Sequence, residues 1–287
     1  MIGYHFRFTD LLISLLLFFN PSKAGYNDNG DLVLNTPEKQ KAFDALKSFQ
    51  TGVVNPAAYS AKFIQHDLAI ADGVAGLQAY VTALNGTATV NTIRIFQDGN
   101  IVFSNSDYTF SGVPYSGFDT YRFEDGLIAE HWQNYQINPG KPNLGGHTMT
   151  GGPTQATDLD KTEANRALAH SFLDIVLVGN NITAIPLFYG PNNAPIQHYV
   201  GWADGVAGIR DGLQALAAEG CAVNLTTHRQ VFVEGTFVLI TSQGFFGPQS
   251  KAVYDLFRAD NGKWVEHWEN EQNIPPPNEW KNQNGKY

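Results

Sequence analysis

Two stretches decide how this chain is read: QHDLAIADGVAGL, Gln65–Leu77, and QHYVGWADGVAGI, Gln197–Ile209. QH and ADGVAG recur at an offset of 132 residues. Downstream, GFDTYRFEDGLIAEHWQNYQ from Gly117 matches AVYDLFRADNGKWVEHWENEQ from Ala252, with the offset grown to 136. Asp119 meets Asp255, Arg122 meets Arg258, and Glu130-His131-Trp132 meets Glu266-His267-Trp268. The added residues fall in one place, as a lengthened loop would. Repeats of this length are whole domains rather than solenoid turns. The expected organisation is a first domain over residues 36–137, a linker over 138–158, a second domain over 159–275 and a tail over 276–287. The linker stretch is rich in Gly, Pro and Thr, and its length invites packing across a domain surface.

The remaining features narrow the class. Apolar residues make up 43% of the 287 and charged residues 16%, enough for dense cores. Residues 1–24 read as a secretory signal: His5 and Arg7 precede the apolar run Leu11–Phe19, and small residues stand at Ser22 and Ala24. That run is too short to span a bilayer, which takes about 20 residues. The expected setting is therefore secreted or periplasmic, with no membrane attachment after the signal is removed; an uncleaved anchor is the alternative. A formal charge of −9 without a basic run argues against nucleic acid as a partner. The single cysteine, Cys221, excludes an internal disulfide. Three glycosylation sequons, at Asn85, Asn181 and Asn224, are no more than an Asn-rich chain supplies by chance.

Each unit has the same order of elements. Thr36-Pro37 opens a helix carrying Phe43, Leu46, Phe49 and Val53. Its counterpart carries Leu168, Phe172, Ile175 and Val176 and stops at Gly179. A short helix or loop then leads to QH, and Asp72 or Asp204 caps a third helix. Strands follow, with turns at Asp98-Gly99, Glu234-Gly235, Glu124-Asp125-Gly126 and Asp260-Asn261-Gly262. Helices first and antiparallel strands after describe an α+β unit.

The last hairpin carries the chemistry. A three-residue loop ending in Gly sets Asp119 opposite His131 and Asp255 opposite His267. Asp119, Tyr121, His131 and Gln133 then share one face, while Arg122, Glu130 and Trp132 take the other. An aspartate across from an imidazole can orient it as a general acid/base unit; the bland alternative is a satisfied polar pair on a half-buried sheet. Arg122/Glu130 and Arg258/Glu266 read as surface ion pairs, and Trp132 and Trp268 as packing or interface residues. His66 and His198 precede the helix cap, where the chain could bend over a pocket mouth. His66, His131 and Asp119 would make a two-His, one-carboxylate set if a pocket joined them, but no metal motif supports it, and neither metal nor cofactor is expected.

QH…ADGxxG followed by DxxR…DG…EHW resembles the polyketide cyclase-like (SnoaL-like) branch of the nuclear-transport-factor-2-like superfamily, and the linker words HTMTGGPT and TDLDKTEAN resemble its tandem members. The resemblance runs from Pro37 to Pro275. It implies two cone domains, each of three helices packed on a curved, mostly antiparallel sheet around an apolar pocket. It further implies a base directly after the H-x pair, at Gln133 and Glu269, and a partner at Asp119 and Asp255. Gln133 cannot take a proton, and neither partner is the family's His. The resemblance therefore points to the second unit: Glu269 as base, His267 and Asp255 as its tuners, and His198 as hydrogen-bond donor to a developing enolate. Asp255 and Glu269 could raise one another's pKa, or both could be held ionised by His267. The expected activity is cofactor-free isomerase or aldol-type chemistry on a small, apolar, carbonyl-bearing molecule. His66, Asp119, Tyr121, His131 and Gln133 would line a first, non-catalytic pocket, and the two units would form an intramolecular pseudo-dimer. The alternatives are a binding module for a small apolar molecule and a structural pair with filled pockets.

Overall fold

The computed structural model describes residues 25–26, 32–179 and 181–287; the expected signal over 1–24 lies outside them. A short ladder pairs β1 (Gly25–Tyr26) with β2 (Leu32–Val33). Helix α1 (Pro37–Thr51) begins where the sequence predicts. Thr36 Oγ1 accepts from the Lys39 N–H at 3.1 Å, and Gly52 ends the helix at φ 73°. Val53 lies beyond that cap and is 67% exposed, so it does not join Leu46 and Phe49 in the core. A 3-10 turn (Pro56–Ala58) leads into β3 (Tyr59–Gln65), then α2 (Gly73–Ala83) and four strands: β4 (Thr89–Asp98), β5 (Ile101–Phe110), β6 (Val113–Glu124) and β7 (Leu127–Ile137).

The C-terminal half repeats this order. Helix α3 (Thr162–Phe172) continues as a π-helical turn to Val178, followed by a 3-10 segment (Ile182–Leu187). Then come β8 (Ile196–Gln197), α4 (Gly205–Ala218), β9 (Val223–Glu234), β10 (Phe237–Phe246), β11 (Gln249–Asp260) and β12 (Lys263–Asn273). The two five-stranded sheets run β3-β7-β6-β5-β4 and β8-β12-β11-β10-β9. The first strand of each is parallel to the last, and every other pair is antiparallel.

Two expectations change here. QH closes a strand rather than a loop or helix. The middle helix of each expected trio is reduced to 3-10 turns, and in the second Pro186 removes a backbone donor from the helix interior.

Each sheet packs one face on its own helices, and the two outer faces meet. Phe96, Phe103 and Phe118 form one buried cluster with Phe237, Leu239, Tyr254 and Trp268. Gln272 Oε1 accepts from the Tyr135 N–H at 3.4 Å, and Gln136 Oε1 accepts from the Glu271 N–H at 3.1 Å. These residues correspond at the offset of 136, so the two bonds are reciprocal.

The connecting stretch is tied down. Buried Arg94 donates to the carbonyls of Thr150, Gly151 and Pro153 and stacks on Trp268. The tail crosses the other way. Asn282 donates to the Asp67 and Ile70 carbonyls, buried Lys286 to the Gln133 carbonyl, and the Tyr287 hydroxyl to the Ser242 carbonyl.

Candidate active site

The repeated ADGxxG stretch is structural. Asp72 and Asp204 stand at the N-cap positions of α2 and α4 without bonding the first turn. Instead their Oδ1 atoms accept from the Gln65 and Gln197 N–H groups, each at 3.0 Å, fastening helix start to strand end. Gly73 and Gly205 take φ 73° and 83°. Gly76 and Gly208 give room to the Ala71 and Ala203 carbonyl oxygens, which a Cβ would meet at 2.1 and 2.0 Å. These requirements explain why the same letters are written twice.

The hairpin register differs from the expected one. Asp125-Gly126 and Asn261-Gly262 form two-residue turns with positive φ throughout, the geometry that matches strand twist. A bulge then intervenes between Arg122 and Phe123, and between Arg258 and Ala259. Asp119 therefore faces Gln133, and Asp255 faces Glu269; the histidines face Tyr121 and Phe257. The shift is two residues, so the face of every side chain survives.

In the C-terminal half three groups gather. His267 Nε2 lies 3.0 Å from Asp255 Oδ1, and its Nδ1 lies 2.9 Å from Gln197 Oε1. Phe257 stacks on the imidazole at 4.5 Å. Gln197 Nε2 is buried without a partner. Exchanging the amide oxygen and nitrogen gives that Nε2 the His267 Nδ1 lone pair. The result is the arrangement of the N-terminal half, where Gln65 Nε2 faces His131 Nδ1 at 3.2 Å and Gln65 Oε1 accepts from the Asp67 N–H. In either sense of the amide, Nε2 is the ring atom that faces Asp255.

The Glu269 carboxylate, directly across from Asp255, is 8% exposed and has no hydrogen-bond partner among the described residues. Burial first, then the charges of Asp255 and Glu271, push its carboxyl well above the usual carboxylate range, against a smaller opposite pull from Lys251. Asp255, His267 and Glu269 also offer one ligand atom each within 4.8 Å of one another, so a cation could be gathered there in place of a proton.

These three groups form the polar floor of a cavity of about 110 Å³ whose walls are otherwise almost wholly apolar, among them Val176, Tyr189, Trp202, Leu225 and Val253.

The N-terminal counterpart is closed. Asp119 is fully buried and accepts from the Tyr108 hydroxyl, from His131 Nε2 at 3.0 Å and from Gln133 Nε2 at 2.6 Å. Tyr121 stacks on His131 at 4.5 Å. Gly117 makes room for the Tyr108 ring, whose Cε2 a Cβ would meet at 2.6 Å. Tyr108 corresponds to Gly244, where a Cβ would meet the Asn224 carbonyl oxygen at 2.3 Å. The bulged β9 backbone excludes a side chain there, so no ring stands where Tyr108 does in the other half, and Val253, the counterpart of Gly117, lines the cavity.

The expected roles of His198 and His66 are corrected. Along a strand successive side chains alternate faces, so Gln197 lies on the inner face, behind His267, and His198 on the opposite one. His198 stacks on Trp268 at 4.7 Å, with Nδ1 2.6 Å from the Thr148 carbonyl and Nε2 2.9 Å from Glu266 Oε1. It does not line the cavity. Glu266 also accepts from Arg258 Nε at 2.8 Å and is 1% exposed, so this pair is an interior network rather than a surface one. His66 stacks on Trp132 at 4.7 Å, away from His131 and Asp119, so the three cannot share a metal. The residues missed from sequence were Gln65 and Gln197; the signal was the Q of QH, read with strand alternation.

No family model matches the chain, and no curated protein does. Solved structures match parts of it. A candidate polyketide cyclase from Bacillus cereus is 18% identical over 35% of this chain and 75% of its own, with a TM-score of 0.33. A candidate ketosteroid isomerase from Kribbella flavida is 16% identical over 41% and 85%, with a TM-score of 0.34. An epoxide hydrolase from M. tuberculosis is 14% identical over 35% and 83%, with a TM-score of 0.31. Likeness of this size says nothing about activity.

Proposed function

We propose that the C-terminal cavity carries out cofactor-free proton transfer on a small carbonyl-bearing molecule, with Glu269 as the base. One observation carries this: a buried carboxylate without a hydrogen-bond partner faces a second carboxylate that an oriented imidazole already holds. Two such groups cannot both ionise cheaply, which leaves Glu269 poised to exchange a proton. His267 fixes Asp255, and Gln197 fixes His267. Glu269 would take a proton α to the carbonyl and return it to the same or a neighbouring atom, giving isomerase-type turnover or, with a second carbonyl in reach, aldol closure. The N-terminal half, with Gln133 in the base position and Tyr108 filling its cone, serves as scaffold in an intramolecular pseudo-dimer.

The test is deuterium incorporation from D2O into butan-2-one, followed by NMR. The wild-type chain should accelerate exchange over buffer, and Glu269→Gln should reduce it to background. Exchange no faster than buffer, or undiminished in Glu269→Gln, refutes the catalytic reading. The small cavity also suits a second reading, a binding site without chemistry, which predicts saturable ketone binding and no exchange.

The expected secreted setting belongs to the same proposal. N-terminal sequencing of exported protein should begin after Ala24, and an intact Met1 would count against it.

A further inference from the structure

The cavity holding Glu269 is too small for the ligand its surroundings invite. Ligand pockets usually enclose roughly 300–1,000 Å³, whereas this one measures about 110 Å³. An engineered apolar cavity of roughly 150 Å³ takes a benzene, so this one takes about four or five non-hydrogen atoms.

A second hollow of about 480 Å³ lies on the outer surface of the same half, between the 3-10 segment and α4. Its lining includes Ile182, Ile185, Pro186, Val206, Leu213 and Ala217. Ile185 and Leu213 line both spaces. They are side chains of a partition, each only partly buried, and rotamer changes in such residues are fast and inexpensive. Ile182, on the outer rim, is 62% exposed, an unusual place for a bare aliphatic side chain to lie beside other apolar groups. The hollow beside the 3-10 turn of the N-terminal half is lined by Lys41, Asp44, Lys47 and Asn55 among others, so it lacks this apolar character. There the seven-residue β3 pairs along β7, whereas the C-terminal counterpart β8 has two residues.

Resting on the proton-transfer reading, we infer that the substrate is bipartite: a compact carbonyl head in the inner cavity, and an aliphatic tail that passes between Ile185 and Leu213 into the groove over α4. The occupant follows from continuity. Any ligand longer than the inner cavity must leave it, and the shared wall leads to an apolar surface. A tail lying there removes Ile182, Val206 and Ala217 from water together with its own methylenes.

The test is the binding of a series of methyl ketones, from butan-2-one to undecan-2-one, to the full chain by ligand-observed NMR titration. Affinity should rise by about fourfold per methylene once the inner cavity is full, the gain for burying one CH2, and level off when the groove is filled. In Ala217→Asp and Ile182→Asp, whose side chains line the groove and not the inner cavity, butan-2-one should bind as before and the rise should vanish. Circular dichroism confirms that both variants are folded. Affinity that stays flat beyond butan-2-one, an undiminished rise in both variants, or no ketone binding at all overturns the inference. The chain-length series repeated in Glu269→Gln separates it from the catalytic reading. A rise retained there, with no deuterium exchange in any protein, leaves the tail groove standing and removes only the chemistry.

Discussion

Glu269→Gln should make the protein more stable at neutral pH while removing its proposed base. The substitution installs in the C-terminal half what the N-terminal half already has. There the Gln133 amide donates to Asp119 Oδ1 at 2.6 Å. At position 269 the same amide would face Asp255 across the strand pair and replace a carboxylate that has no donor. A hydrogen bond to a charged group is worth about 1.5–3 kcal/mol. The pH dependence sharpens the test. The folded-state pKa of Glu269 lies well above its ordinary value, chiefly because it is buried, while in the unfolded chain it titrates near about 4.3. Below about pH 4 both states are protonated and the carboxyl costs nothing. As pH rises above that value the unfolded chain releases its proton first. The folded state then binds more protons than the unfolded state, and stability falls by up to about 1.4 kcal/mol per pH unit until the folded pKa is passed. Glutamine has no such loss. Urea unfolding followed by tryptophan fluorescence at pH 4, 5, 6 and 7 should therefore show a small gap near pH 4 that widens to about 2 kcal/mol or more at pH 7, in favour of the variant. A gap that does not change with pH, or a variant less stable at pH 7, refutes the unpartnered buried carboxylate on which the proposed site depends.

Gln133→Glu asks the opposite of the closed half. It buries a second carboxylate against Asp119 with no room for water, and should cost about 3–5 kcal/mol, read as a fall in the urea midpoint. His198→Gln should leave ketone binding and deuterium exchange unchanged, because the ring lies behind the sheet, while lowering stability by about 1–3 kcal/mol as Glu266 loses a partner; a lost exchange signal would return His198 to the site. Deleting residues 281–287 removes partly buried Tyr287 and buried Lys286 and uncovers the Asp67 and Ile70 carbonyls that Asn282 satisfies. Burial of one large side chain alone contributes about 1.5–3 kcal/mol, so the thermal midpoint should drop by several degrees; an unchanged midpoint would show that the tail is not part of the folded core.

Much of the architecture could be read from the repeat, because matching letters at matching spacing specify matching strand order. The capped first helix was legible too, since Thr-Pro carries its own geometry. Register was not. The bulge beside Arg122 and Arg258 leaves no mark in composition, and a two-residue turn looks like a three-residue one when an acidic or amide residue precedes Asp-Gly or Asn-Gly. The faces were still right, because turn and bulge each move the register by one and together preserve alternation. The role of His198 was misread for a related reason. Ahead of a helix start QH reads as a bend, and only as a strand end does it send Gln inward and His outward. The groove over α4 had no sequence signal, since it depends on how a proline-containing 3-10 segment passes beside the helix.

The difference between the halves rests on a few side chains, and their chemistry is consistent. Where Tyr108 fills the cone, the carboxylate at its floor, Asp119, is fully satisfied by three donors and cannot act on anything. Where Gly244 stands instead, the bulged backbone bars any substitute ring, the cone stays open, and the residue opposite the aspartate is an acid rather than an amide. An open cone with an amide at 269 would be a binding site; a filled cone with an acid there would be a destabilising error. Opening and acidity occur together in the same half, and the buried charge costs stability that a purely structural repeat would have no cause to lose. That pairing is the strongest argument for chemistry in the C-terminal half. It stands or falls with the widening of the Glu269→Gln gap above pH 4.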